Sequence, residues 1–307
     1  MAINLTKTFQ ERSYERHADS LIEYRAGGAK EKHARTWLEK DTVDAWRHQR
    51  MYQALTPILS AEPKATWLTI GDSRFGKDAR YILDNGCDAL ASDITDVLLK
   101  EAEAIGYISK YQIENAESLS FEDSKFDYVF CKESYHHFPR PMLALYEMLR
   151  VAKKGIFLIE PNDAYVNRKL TEMAFRDVRD LIIKARVGKK GIEPRFEESG
   201  NYVYSISRRE IQKVALGLNY SVVAFKGIND AYVFGVEYEK LAEKGPLQKK
   251  VRRLIALKDL LCNLGLMEYN LLVAIIFKQE PSKELSHGLS EEGYEIVVLP
   301  ENPYISG

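Results

Sequence analysis

The feature that most constrains the fold is a regular alternation of short apolar runs and amphipathic segments between residues 66 and 160. The apolar runs predict strands at 66–70, 88–93, 110–114, 127–131 and 155–160, and the segments between them predict helices near 76–85, 96–105 and 140–150. Strands that alternate with helices are typical of βαβ units, because parallel neighbours need a long crossover connection. The pattern therefore predicts an α/β protein with a doubly wound, Rossmann-like, mostly parallel sheet.

The rest of the chain predicts four regions around this sheet. They are an N-terminal helical cap (1–62), a core (63–163), a lid insertion with helices (164–218), and the remainder of the sheet with a C-terminal tail (219–307). The lid region predicts helices at 164–187 and 207–218. The last region predicts strands at 221–225 and 270–277, a helical insertion at 237–267, and one short strand within 291–300.

Composition excludes several classes of function. Of the 307 residues 29% are charged and the net charge is −1, so the chain lacks the general positive field of a nucleic-acid-binding protein. No window of 18 apolar residues occurs, so we expect no membrane span. The cysteines Cys87, Cys131 and Cys262 are far apart, which predicts buried thiols in a reducing, cytoplasmic location. The six histidines are scattered without ligand spacing, so no metal site is predicted.

The loop after the first strand, G-D-S-R-F-G at 71–76, is open to four interpretations. It is a degenerate dinucleotide-binding loop, the Ser73 nucleophile block of a G-D-S esterase, a methyltransferase cofactor loop, or an ordinary strand-to-helix turn. The esterase needs a late D-x-x-H for its base and acid, and the sequence contains none. The second strand ends on Asp93, where a carboxylate accepts both ribose hydroxyls of a nucleoside cofactor.

The later motifs favour one interpretation. E-N-A-E-S-L-S-F at 114–121 is followed by F-D-Y-V-F-C-K-E-S-Y-H-H-F-P-R-P at 126–141 and a strand ending at Pro161. This succession, over 67–161, resembles the methyltransferase-11 type of class I S-adenosylmethionine-dependent methyltransferase. The resemblance implies S-adenosyl-L-methionine as cofactor and S-adenosyl-L-homocysteine as product. It also implies a seven-stranded sheet in which run 270–277 is the antiparallel strand.

The resemblance assigns cofactor-binding roles residue by residue. Gly71, with Asp72 and Ser73, matches the loop under the methionine part, and Asp93, followed by Ile94, matches the ribose-binding acid. Asn115 matches the position that meets the adenine amino group, since an amide oxygen accepts that bond. Ala116 offers its backbone N–H to the ring, and Lys132 lies beside the sulfonium. The N-terminal aromatic side chains are expected to cover the cofactor.

The loop departs from the family pattern at three positions. Thr69 replaces the usual acid before the first glycine, and Ser73 and Phe75 replace the second and third glycines. A phenylalanine there is expected to close space to the cofactor unless Gly76 shifts the turn. Arg74 and Arg25 are candidates for pairing with the methionine carboxylate.

Methyl transfer to a hydroxyl needs an acceptor held in line and a base for its proton. Candidates for the base are Glu133, His136 and His137, just after the fourth strand, with Glu160 a further acid of the cleft. The sequence thus predicts transfer to a small-molecule or surface-glycan acceptor, at oxygen. A non-catalytic cofactor-binding protein and an RNA methyltransferase are the alternatives, although C-K-E-S-Y at 131–135 is unlike the motifs of RNA enzymes.

The acceptor is suggested only by charge. Residues 168–195 hold nine Lys or Arg against four acids, which fits either an anionic acceptor or a solvated helix face. The aromatic segment 200–204 suits stacking on a sugar or packing of the lid. The sequence predicts no oligomeric state.

Overall fold

The structure, a computed structural model, describes residues 7–163, 166, 196–197 and 200–305. The predicted helix at 164–187 and the basic segment 168–195 lie outside the described residues, apart from position 166. No helix in the described ranges is long and apolar enough to cross a membrane.

One mixed sheet forms the centre of the molecule. Its strands are β1 (Thr66–Ile70), β2 (Asp88–Asp93), β3 (Tyr111–Ile113), β4 (Phe126–Lys132), β5 (Ala152–Pro161), β6 (Val222–Ile228), β7 (Leu271–Phe277) and β8 (Glu295–Val298), in the order β3-β2-β1-β4-β5-β7-β6-β8. The first five pair in parallel. β7 runs antiparallel to both β5 and β6, and β8 runs antiparallel to β6.

The fold class predicted from the sequence is confirmed, and β7 is the antiparallel strand predicted at 270–277. The count of seven strands is wrong by one among the described residues. The short strand predicted within 291–300 is confirmed as β8, which pairs with the outer edge of β6 through Val222–Val298 and three further residue pairs. This pairing satisfies backbone groups that the edge of β6 would otherwise expose.

Helices cover both faces of the sheet. They are α1 (Phe9–Ile22), α2 (Ala29–Arg35), α3 (Val43–Tyr52), α4 (Thr56–Ala61), α5 (Lys77–Asp84), α6 (Leu99–Ala104), α7 (Pro141–Val151), α8 (Arg208–Gly217), α9 (Pro246–Asn263) and α10 (Lys283–Glu291). Successive strand residues alternate between two cores, so Trp67 packs in one and Leu68 in the other. The predicted helix at 207–218 is α8, and the Ser207 hydroxyl accepts the backbone N–H of Glu210 at its start.

A third, smaller core joins the N-terminal cap to the helical insertion. Val43 of α3 packs with Val236, Val251 and Ile255, and the backbone N–H of Val43 donates to Glu239 O at 2.9 Å. The insertion therefore packs against the cap at α3.

Candidate active site

The loop after β1 needs glycine at its first position. Gly71 has φ of 71°, and a Cβ there would lie 2.5 Å from Cβ of Ser134. Ser134 follows β4 and its hydroxyl donates to Gly71 O at 2.8 Å. The close approach fixes the ends of β1 and β4 against each other, because no larger residue fits between them.

Asp72 faces the start of α5 rather than solvent. Its carboxylate accepts the backbone N–H groups of Asp78 at 3.0 Å and Ala79 at 2.9 Å, and the Thr69 hydroxyl at 2.8 Å. Burial, followed by the charge of Asp78, raises the pKa of Asp72 well above its ordinary value. Thr69 stands where the family usually has an acid, and its hydroxyl donates to the carboxylate of Asp72.

Phe75 does not line the cavity, which fits the predicted exception that Gly76 shifts the turn. Its φ is 59° and its side chain is fully buried in the core, with the Arg35 guanidinium 5.7 Å from the ring centroid. Gly76 then continues the turn at φ of 67°, where a Cβ would lie 2.7 Å from Cγ2 of Ile108. Two successive left-handed residues turn the phenyl ring away from the cavity.

Asp93 ends β2 as a buried carboxylate at the cavity wall. Backbone N–H groups of Thr95, Ile94 and Ser73 favour its charge, but burial outweighs them and raises its pKa to about 7. A buried carboxylate that receives only backbone N–H groups and no cation is a strong acceptor for a pair of hydroxyls. The residue thus fits the ribose of a nucleoside cofactor.

A cavity of about 230 Å³ lies at the carboxyl ends of β1, β2 and β4, beneath the N-terminal helices. Ligands of doubly wound sheets bind at this edge, where the strand order reverses. The predicted site residues that line it are Gly71, Asp72, Ser73, Asp93, Ile94, Ala116, Lys132, Glu133 and His137. Asn115 and His136 do not line it.

Comparison with known families shows what kind of domain carries this cavity. Residues 69–159 match the family model described as Methyltransferase domain. This segment is a methyltransferase domain. It is of the class I type, with S-adenosyl-L-methionine as methyl donor and S-adenosyl-L-homocysteine as product. No curated protein matches the chain.

Solved structures of similar proteins include two methyltransferases. The magnesium protoporphyrin IX methyltransferase of Synechocystis, with bound S-adenosylhomocysteine, is 12% identical with a TM-score of 0.46, over 87% of this chain and 97% of that one. An S-adenosylmethionine-dependent methyltransferase of Methanosarcina mazei is 17% identical with a TM-score of 0.44, over 73% and 98%.

The structure turns Asn115, which was predicted to meet adenine, away from the cavity. Its side-chain oxygen accepts the backbone N–H of Glu117 at 2.9 Å, which closes a turn within its own loop. Glu114 and Ala116 line the cavity instead. The predicted contact of the Asn115 amide with adenine therefore needs a change of side-chain rotamer.

Lys132 lies in a buried charge cluster at the cavity wall. Its Nζ is 3.2 Å from His48 Nδ1, 3.3 Å from Glu133 Oε2 and 3.7 Å from Asp78 Oδ1. Burial opposes the charge of Lys132, but Asp78 and Glu133 outweigh it and raise its pKa. Burial likewise opposes the charge of Glu133, but Lys132 and Arg74 lower the pKa of Glu133 to about 2.

Positive side chains gather on the side of the cavity formed by α3 and α5. Burial lowers the pKa of Lys77 to about 8, and Arg74 lies with its guanidinium 5.2 Å from the Trp37 ring centroid. Both line the cavity and fit a carboxylate such as that of methionine. Arg25 does not line it, because its guanidinium pairs with Glu101 at 3.6 Å.

The two adjacent histidines have separate environments. His136 Nδ1 lies 2.6 Å from Oε2 of the fully buried Glu160, whose other oxygen accepts the backbone N–H groups of Ser134 and Tyr135. His137 lines the cavity and pairs with Glu197. Burial works against the charge of Glu197, but its bond with His137 lowers the Glu197 pKa.

Several residues that line the cavity belong to none of the core sequence motifs described above. Among them are Ser13, Tyr14, His17, Trp37, His48, Tyr52, Lys77, Asp78 and Asn201. The clustered aromatic residues of the N-terminal cap were the available signal, since Tyr14, Tyr24, Trp37 and Tyr52 all line the cavity. His48 lies far from the core motifs in sequence, so no local pattern could have found it, whereas Asn201 falls within the aromatic segment 200–204 that the sequence had marked for sugar stacking or lid packing.

Cofactor affinity should depend on pH through Asp93. Its pKa of about 7 lies above the ordinary value of 3.8, so the proton binds as pH falls through neutrality and removes an acceptor for the ribose hydroxyls. We expect S-adenosylhomocysteine to bind about tenfold more weakly at pH 6 than at pH 8 in isothermal titration. Asp93→Asn should bind about 1–3 kcal/mol more weakly at pH 8 and lack this dependence. A variant with the same pH profile would refute the ribose role.

Proposed function

We propose that this methyltransferase transfers its methyl group to a hydroxyl oxygen of a small-molecule or surface-glycan acceptor, with His137 as general base. The observation that carries this proposal is the His137–Glu197 pair at the cavity wall. An imidazole held by an ionised carboxylate is a suitable proton acceptor near neutral pH. The carboxylate also stabilises the imidazolium that forms when the proton arrives.

When bound, S-adenosylmethionine supplies an activated methyl group on a sulfonium. Asp93 would hold the ribose hydroxyls, and Arg74 and Lys77 would hold the carboxylate. The protein's remaining work is to orient the acceptor and take its proton. His137 would bind the acceptor hydroxyl and withdraw that proton, and the walls of the cavity would exclude water.

The other two candidate bases are supported less well. Glu133, with a pKa of about 2, is a weak base because its charge is already stabilised by Lys132 and Arg74. His136 is buried against Glu160 and does not line the cavity. Its structural role is to connect the end of β5 with the turn that carries His137.

The acceptor end of the cavity favours a small polar molecule. Helix α1 contributes Ser13, Tyr14 and His17 to it. The Ser13 hydroxyl donates to Asn201 Oδ1 at 2.6 Å, and Asn201 Nδ2 donates to His137 O at 2.7 Å. This chain of bonds encloses the space beside His137, which supports an acceptor of limited size over an extended nucleic acid.

The experiment supplies the protein with methyl-labelled S-adenosylmethionine and, separately, low-mass metabolites, extracted glycans and RNA. We expect label in the metabolite or glycan fraction and a product heavier by one methylene group in mass spectrometry. Label in RNA alone would contradict the proposal. Tight binding of S-adenosylhomocysteine without transfer to any fraction would indicate a non-catalytic binding protein instead.

A further inference from the structure

Helix α9 of the insertion presents an apolar row to solvent. Its inward face buries Val251, Ile255 and Cys262. The opposite face carries leucines at spacings of three and four residues, with exposed fractions between 37% and 62%: Leu254, Leu257, Leu260 and Leu264. Contiguous exposed leucines on a water-facing helix mark a contact surface.

The same outward face is basic in its first turns. Lys249, Lys250 and Arg253 are exposed, and none of them joins an ion pair among the described residues. At 100° per residue, Lys250 and Arg253 fall between the leucines rather than on a separate side. Arg252, also exposed, lies with its guanidinium 4.3 Å from the Trp46 ring centroid on α3.

A neighbouring loop adds aromatic side chains. Phe234 is 82% exposed and Tyr232 55% exposed. The loop is fixed to α9, because Val236 packs with Val251 and Ile255, and a Cβ on Gly235 would lie 3.2 Å from Leu247. An almost fully exposed phenylalanine costs free energy in water, and it is stabilised once it enters an apolar phase.

We propose that α9 and the 232–234 loop dock on a membrane surface rich in anionic lipid. Leucine and basic side chains on the outward face of α9, with exposed aromatic side chains on the adjoining loop, fit the boundary between acyl chains and negative headgroups. With 18 residues the helix is about 27 Å long and lies along the surface rather than across it. The inference is independent of the acceptor and of His137.

Charge argues against a second copy of the chain as the occupant. In a two-fold contact each helix would meet the same face of its partner. Such an interface would contain two sets of Lys249, Lys250 and Arg253, without a described acid on that face to compensate for their charge. Anionic headgroups complement these charges directly.

The test is flotation of the full chain with vesicles of phosphatidylcholine alone or mixed with phosphatidylglycerol. We expect binding only to the mixed vesicles, weakened at high salt. A basic side chain near an anionic surface changes partition by roughly fivefold, so Lys250→Glu/Arg253→Glu should lower it by more than tenfold. Leu257→Glu/Leu260→Glu should lower it as strongly.

Matched controls lie on other surfaces. Lys64→Glu/Lys125→Glu changes two exposed lysines and Leu143→Glu an exposed leucine of α7; neither should alter flotation by more than about twofold. Thermal melting and S-adenosylhomocysteine titration check that all variants are folded. The proposal is overturned if the chain binds neither vesicle, or if the α9 variants float like the controls. It is also overturned if sedimentation shows a dimer that Leu257→Glu/Leu260→Glu dissociates.

Discussion

Replacing His137 with glutamine is expected to slow methyl transfer by about 10²–10⁴-fold, the usual contribution of a positioned general base. Glutamine keeps the polar contact at the cavity wall but cannot accept the proton that leaves an acceptor hydroxyl. The affinity for S-adenosylhomocysteine should stay nearly unchanged, because the variant leaves intact the cavity residues proposed to hold it, namely Asp93, Arg74 and Lys77. The measurement is the initial rate with the acceptor fraction that takes up label, together with isothermal titration.

Two variants of neighbouring residues serve as controls. Glu133→Gln should reduce the rate by less than about tenfold, because a carboxylate with a pKa near 2 removes few protons at neutral pH. His136→Gln should chiefly lower thermal stability, since it leaves Glu160 buried without its imidazole partner. If His137→Gln keeps the full rate and one of the two controls loses most of it, the general base is the residue replaced in that control and not His137.

Replacing Arg47 with methionine is expected to destabilise the fold by about 3–5 kcal/mol, the usual effect of breaking a buried ion pair by removing one partner. The Arg47 guanidinium donates to Asp44 Oδ1 at 2.6 Å and pairs with both oxygens of Asp230. Methionine replaces the aliphatic part of the arginine side chain but carries no charge, so both carboxylates would remain buried without this partner. Urea unfolding gives the change in free energy.

A double-mutant cycle separates the ion pair from other effects. Asp230→Asn alone leaves the guanidinium with Asp44 and should cost less than Arg47→Met. The double variant should be less destabilised than the sum of the two, by about 0.5–3 kcal/mol, because the residues are in contact. Additive effects would show that the pair contributes little. Arg50→Met, on the same helix and half-buried, should cost about 1 kcal/mol or less.

The sheet could be predicted because its signals are local. Strand β2 (Asp88–Asp93) was predicted at its observed bounds, and the predicted bounds of β1, β4 and β7 lie within one residue of the observed ones. Each buried strand is a run of consecutive, mostly apolar residues, so it can be recognised without knowledge of the rest of the fold. The count of seven strands was wrong by one because it came from the family, although the residues themselves had indicated the tail strand that became β8.

The site was predictable only where a residue's role follows from its place on the sheet. Gly71 follows β1, Asp93 and Lys132 end β2 and β4, and the structure places all three on the cavity wall. Asn115 and Phe75 are oriented by their own turns, which depend on Glu117 N–H and on a left-handed backbone. The orientation of each side chain depends on whether it bonds within its own turn or contacts the ligand, and the spacing of residues in the sequence does not show which.

The two ends of the N-terminal cap are attached very unequally. Helix α3 is held by the buried Arg47–Asp230 pair and by a core around Val43, whereas α1 buries only Ser13 and Leu21. Segments with few buried apolar contacts open at the lowest free energy. We therefore expect α3 to stay in place while α1 moves, so that substrates and products enter and leave the cavity beside α1.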